Sequence, residues 1–176
     1  SIGGSAMGLA MADGRLSFAD SALQRLPAFG VPPDSNTVTG WLDDITLLQL
    51  ATHTSGFENA SGYGALLYKP GATWLYSNGG VNWLADIMTF AFQEDLNSLL
   101  FRRVFTSLGI TPTDLVWRDN VYRDDLIEGI KRREIASGIR VNVDAMARIG
   151  YLYLRGGLWE GTQLLPAGFI DTVRQP

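Results

Sequence analysis

The chain has 176 residues, 46% of them apolar and 18% charged, a formal net charge of −4 and no cysteine. That is a globular composition, long enough for one domain with a core. It excludes disulfides, thiol catalysis and Cys-ligated metal. With Lys69 and Lys131 its only lysines, it lacks the clustered basic surface that a nucleic-acid partner needs.

No apolar run reaches the length of a membrane span, and no signal peptide is visible. The opening segment, residues 1–12, reads as a helix that is apolar nearly all round and expects neighbours on every side. Gly3, Gly4 and Gly8 cost it roughly 1 kcal/mol each relative to Ala, a cost that makes sense where another element approaches closely. Asp13-Gly14 stops this helix. Ser17 with Asp20 resembles a capping box for a short helix ending near Pro27. Residues 28–43 are loop-like, with Pro32, Pro33 and Gly40, and a helix then runs from Asp44 to about Thr52. The connection 53–73 is long and Gly-rich, a length that inside a compact domain is often functional.

Gly79 to Phe92 is a periodic apolar helix, and a second, from about Asp95 to Ser107, is closed by Gly109. Residues 110–141 are mixed, with a basic helix expected near 124–133. Its Lys131-Arg132-Arg133, like Arg102-Arg103, reads as a solvated face. Asn142 or Asp144 caps a strong helix through Met146, Ile149, Leu152 and Tyr153 that ends at Gly156-Gly157. A small hairpin follows, turning at Glu160-Gly161, and Pro166 starts a last helix. Strands are too few and short for a large sheet, so the expected fold class is mainly α, one helical domain or subdomain over 1–176.

Few residues could carry chemistry. His53 is the only histidine; closing a helix in Thr52-His-Thr-Ser-Gly56, it is expected to bond or pack there, away from Tyr76, rather than act as a base. One histidine cannot make a zinc site, the acidic residues lack ligand spacing, and no Gly-x-Ser-x-Gly elbow occurs, so neither a metal nor another cofactor is expected. Trp74-Leu-Tyr76-Ser-Asn78-Gly-Gly, after Pro70-Gly71 and before a helix, is the most informative stretch. In an extended segment Tyr76 and Asn78 face the same way. A phenol becomes a useful base only beside a cation, and an amide can donate to a substrate carbonyl. The alternative is a Tyr packed in the core and an Asn capping the next helix, and the chemistry alone leaves both open.

Tyr76-Ser-Asn78 after Pro70-Gly71 resembles the Tyr-x-Asn motif of the penicillin-recognising serine hydrolases, the superfamily of class C β-lactamases, DD-peptidases and related esterases. Leu47 to Gly56, Asp13-Gly-Arg-Leu-Ser17, Asn142 to Arg148, Gly157 to Gly161 and Leu165-Pro166 are similar to flanking family segments in the same order. The resemblance implies the helical domain of an α+β, β-lactamase/transpeptidase-like fold. It implies a hydrolase that opens β-lactam, amide or ester carbonyls through an acyl-enzyme, with Tyr76 moving the proton and Asn78 binding substrate. It implies a small-molecule acyl substrate in the parent protein and a periplasmic or secreted setting, although the sequence leaves the compartment undecided.

The family's Ser-x-x-Lys nucleophile motif occurs nowhere here, and neither does its Lys-Thr-Gly strand. Ser1 is about one helical turn too close to Asp13-Gly14 to be that serine, so the expectation is a segment truncated at both ends, inert alone. A missing sheet would leave an apolar face on residues 2–12 open to self-association. Two alternatives stand beside the β-lactamase-related reading: an esterase or 6-aminohexanoate-oligomer-type amidase on the same scaffold, and a non-catalytic binding domain.

Overall fold

The computed structural model describes residues 2–175; Ser1 lies outside them. In chain order the elements are α1 (Ser5–Ala12), α2 (Ala22–Arg25), α3 (Leu47–Ala51), α4 (Asn78–Phe92), α5 (Leu96–Leu100), β1 (Leu115–Trp117), β2 (Leu126–Ile127), β3 (Ile130–Lys131), β4 (Ile139–Val141), α6 (Val143–Leu154), β5 (Leu158–Trp159), β6 (Thr162–Gln163) and α7 (Ala167–Val173). The strands form three antiparallel pairs, β1 with β4, β2 with β3 and β5 with β6. Helices make up about 40% of the chain. The mainly α expectation therefore describes the core and not the whole, since turns and loops fill much of the rest.

Helix α4 is the centre of the core. Trp83, Ala85, Ile87 and Met88 are almost wholly enclosed, and α1, α2, α3 and α5 all pack against it. On α1, residues 5–10 are buried because α4, α5 and α7 close round them. The glycines allow that approach: a Cβ on Gly8 would sit 2.6 Å from the Phe169 ring and one on Gly3 2.5 Å from Ile135. The expected open apolar face is thus absent over residues 5–10, which are buried within the chain's own helices.

Several boundaries follow capping chemistry. Thr46 and Gln49 form a capping box at α3, Asp95 caps α5, and Asn142, not Asp144, caps α6. Ser17 and Asp20 do bond, Ser17 N–H to the Asp20 carboxylate at 2.8 Å, but they close a turn and the helix begins later, at Ala22. Helix α5 continues into one π-helical turn, Phe101–Phe105, and Gly109 follows in the left-handed conformation.

The basic helix expected near 124–133 is instead the β2–β3 hairpin. Its turn residues Glu128 and Gly129 both have positive φ, 49° and 79°, as a tight two-residue hairpin turn requires. Glu160 and Gly161 repeat this, at 46° and 82°, in the expected β5–β6 hairpin. Arg132 and Arg133 are buried rather than solvated, because carboxylates wait for them. Arg133 bonds both oxygens of Asp95 at 2.5 and 2.8 Å and Asp119 at 2.6 Å. Arg102 and Arg103 do sit nearer the surface, paired with Glu94 and Asp13.

Arg123 reaches furthest in. Its side chain is 0% exposed, its Nη1 lies 2.6 Å from Asp86 on α4, and its Nη2 donates to the Gly62 and Gly79 carbonyls at 3.1 and 2.9 Å. The guanidinium also lies 4.3 Å from the Trp83 ring centre and 4.7 Å from that of Tyr63. Desolvation raises the Asp86 pKa against the pull of Arg123 and Arg132. Arg132 Nε approaches the other carboxylate oxygen to 3.3 Å without hydrogen-bond geometry.

Breaking such a pair on one side strands a buried charge, at a cost of about 3–5 kcal/mol. Arg123→Met should lower stability by about that amount in urea unfolding. The double variant with Asp86→Leu should recover part of the loss, since the stranded carboxylate is gone. A single-variant loss below about 1 kcal/mol would show that the pair does not organise this core.

Candidate active site

The stretch that carries Tyr76 is fastened to the chain leaving α3. Thr52 ends that helix and His53 turns the backbone with φ +59°, a conformation uncommon outside glycine. From there the two segments bond in sequence. Gly71 N–H donates to the Thr54 carbonyl at 2.8 Å, Leu75 N–H to the His53 carbonyl at 2.9 Å, and Ser77 N–H to His53 Nδ1 at 3.1 Å. Gly56 has φ +90°, and a Cβ there would lie 2.0 Å from the Tyr68 carbonyl oxygen, so only glycine lets the loop fold back here.

Ser77 fixes which neighbours face out. Its side chain is buried; the hydroxyl donates to the Glu58 carbonyl at 2.8 Å and accepts from Gly80 N–H at 2.9 Å, capping α4. With residue 77 turned in, extended geometry turns residue 76 out, and Tyr76 is 44% exposed. Asn78 is not the cap. It is the first residue of α4, half-buried, with its backbone N–H on Asn59 Oδ1 at 3.3 Å.

Tyr76 and His53 line one cavity of about 490 Å³ that runs between α1, α3, α4 and α7. Their rings meet at a tilt of 32° with 4.7 Å between centres, and the Trp74 ring meets His53 edge-on at 6.0 Å. The expectation that His53 lies away from Tyr76 is therefore wrong: the backbone bonds from Leu75 and Ser77 bring the two rings together. Asn78 is not among the residues lining that cavity. The structure thus joins Tyr76 to His53 and leaves Asn78 beside them at the helix start.

His53 is placed to hold rather than to take a proton. Burial pushes its pKa below 6.5. The Ser77 N–H needs the Nδ1 lone pair, so that contact also favours the neutral ring, with its own proton on Nε2. On the opposite wall Tyr153 shares a 2.8 Å hydrogen bond with Ser5 Oγ, and burial pushes the Tyr153 phenol up. The shift favours the neutral phenol of Tyr153. No group of residues able to hold a metal occurs among the described residues, and no helix there is long and apolar enough to cross a membrane.

Sequence reasoning missed Ser77, Glu58 and Arg123. The serine before a glycine-rich helix start was a legible cap signal; Arg123 carried none.

The Beta-lactamase family model matches residues 1–168. The chain belongs to the Beta-lactamase family. No curated protein matches it in sequence. Among solved structures it is similar to a protein provisionally named 6-aminohexanoate-dimer hydrolase from Bacillus anthracis, at 15% identity and TM-score 0.72, over 99% of this chain and 50% of that one. It is similar to D-alanine carboxypeptidase from Burkholderia cenocepacia, at 22% identity and TM-score 0.67, over 97% and 51%. It is also similar to simvastatin synthase from Aspergillus terreus, at 21% identity and TM-score 0.72, over 99% and 55%. The fold is therefore β-lactamase/transpeptidase-like, and the chain spans about half the length of these structures.

The hydrogen bond from Ser77 predicts a titration. A His with a depressed folded-state pKa contributes stability that is complete above about pH 6.5 and is lost as pH falls below it. The His53 ring should titrate with a midpoint below 6.5 in NMR, and the Ser77 amide resonance should move with the same midpoint. A midpoint above 6.5, or a silent Ser77 amide, would exclude the locked neutral ring.

Proposed function

We propose that this chain is the helical part of a serine hydrolase that opens an ester, amide or β-lactam carbonyl through an acyl-enzyme, with Tyr76 moving the proton and Asn78 positioning the substrate. The observation that supports this most is Tyr76 itself, an exposed phenol at a cavity, flanked by backbone bonds from Leu75 and Ser77 to His53, in a chain of this family. A Tyr packed in the core, the bland alternative, would not be 44% exposed.

The rest of the machinery has to come from elsewhere. No serine in the sequence has a lysine three residues on, and no charged side chain lines the cavity among the described residues. Phenolate formation needs a neighbouring cation, so the nucleophile and the cation belong to chain outside residues 2–175. Given those groups, the serine attacks the carbonyl, its proton passes to Tyr76, and the phenol returns a proton to the leaving group. Asn78, one residue beyond the buried Ser77, is the amide assigned to the substrate carbonyl on this reading, by its place in the motif.

The 6-aminohexanoate-type amidase reading uses the same residues and differs only in substrate. A non-catalytic binding domain has no use for an exposed Tyr76 fixed this firmly, and is the weaker reading.

The test has two arms. The 176-residue chain, offered 4-nitrophenyl acetate or a chromogenic cephalosporin, should give no acylation burst. The complete gene product should turn over at least one of them, and Tyr76→Phe should lower its kcat by about 10²–10⁴-fold, the usual worth of a positioned acid–base group. Wild-type kcat in Tyr76→Phe would remove Tyr76 from the chemistry.

A further inference from the structure

The cavity beside Tyr76 has a chemical character that the hydrolase reading does not use. Its walls come from five helices and are mostly apolar, with Met7 of α1, Leu48 of α3, Val81 and Leu84 of α4, and Phe169 and Val173 of α7, while α6 adds Tyr153. The polar groups among its lining residues are uncharged, and no Asp, Glu, Lys or Arg is present. Its shape is built in: Gly8 lets the Phe169 ring lie against α1, and Gly3 lets Ile135 do so. Asn82, wholly buried, holds the Ile135 backbone N–H at 3.0 Å and so fixes that wall to α4.

An apolar void of about 150 Å³ already accommodates benzene; this cavity is about 490 Å³. Charge entering it would lose hydration with no counter-ion to replace it, whereas an alkyl or aryl group would gain by leaving water.

We propose that this cavity receives an uncharged apolar chain of the substrate, so that the site takes neutral esters or amides with a hydrophobic acyl group and rejects zwitterionic oligomers. This rests on the reading that Tyr76 works on an acyl carbonyl. With the reacting carbonyl at Tyr76, beside the His53 ring, the chain lies among Met7, Leu84 and Phe169.

Methionine supplies local reporters. Met7 lines the cavity, whereas Met88 is buried elsewhere on α4 and Met146 is exposed on α6. The 176-residue chain, with ¹³C-methyl methionine, is titrated with 1-butanol, 1-hexanol and 1-octanol, and separately with the linear dimer of 6-aminohexanoate. The Met7 methyl resonance should shift saturably with each alcohol, with affinity rising about three- to fourfold per added CH2, while Met88 and Met146 stay in place. The zwitterionic dimer should leave Met7 unmoved. Val81→Trp, which fills the space, should abolish the Met7 response, with an unchanged Met88 resonance showing that the core is intact.

An unresponsive Met7, affinity independent of chain length, equal response to the dimer, or an undiminished response in Val81→Trp overturns the inference. No turnover is measured here. Failure would leave the hydrolase reading standing, and a complete gene product that hydrolyses nothing would leave the binding result standing.

Discussion

The buried pair of Arg123 and Asp86 is the constraint from which the rest of the arrangement follows. A guanidinium in a protein stays charged, so once Arg123 is enclosed its five donors must all find something. They find Asp86, the Gly62 carbonyl and the Gly79 carbonyl, with two aromatic faces above. These partners belong to the centre of α4, the loop before Tyr76 and the first turn after Asn78. One side chain from the β1–β4 region therefore ties down the loop, the helix start and the core helix at once. The small residues at 62, 79 and 80 are the complement of that arrangement: a Cβ on Gly79 would press on the Ala60 and Gly62 carbonyls at 3.2 and 3.3 Å.

The active-site segment inherits its rigidity from this anchor. Residues 70–78 have little secondary structure of their own, yet Gly71, Leu75, Ser77 and Asn78 each donate a backbone hydrogen bond to the segment 53–59. His53 is the hinge of that ladder through both its carbonyl and its ring. A lone histidine in a catalytic family invites the role of base, but its geometry assigns it another: its accepting nitrogen is already occupied by a donor that cannot be reversed. It is a positioning residue for Tyr76, acting through Ser77 and through ring contact.

The sequence made the helical pattern legible because caps and periodicity are local. Asp95, Asn142 and the two Gly-ended helices each announce a boundary within four residues, whereas the Thr46–Gln49 capping box moves the start expected at Asp44 to Leu47. The exposure of Tyr76 was not legible, since nothing local distinguishes an exposed phenol from a packed one; burial of Ser77 decides it. The 110–141 stretch was misread for the same reason in reverse. Lys131-Arg132-Arg133 looks like a solvated face until Asp86, Asp95 and Asp119, all distant or across a turn, are known to meet it. The packing of His53 on Tyr76 depends on a pairing 24 residues apart and has no sequence signature.

The commitment of charge elsewhere shapes what the site can do. Arg123, Arg132 and Arg133 are consumed by carboxylates inside the fold, Arg118 by Glu134, and Arg25, Arg102 and Arg103 by partners nearer the surface. Among the described residues, no Asp, Glu, Lys or Arg lines the cavity at Tyr76. Such a site can select apolar groups by exclusion, but it cannot by itself make a phenol basic, because that requires a cation within about 4–6 Å. On the proposed reading, binding of the neutral part of a substrate and activation of the proton carrier fall to different groups. The apolar walls suit the first, and no cation that could serve the second lines the cavity among the described residues.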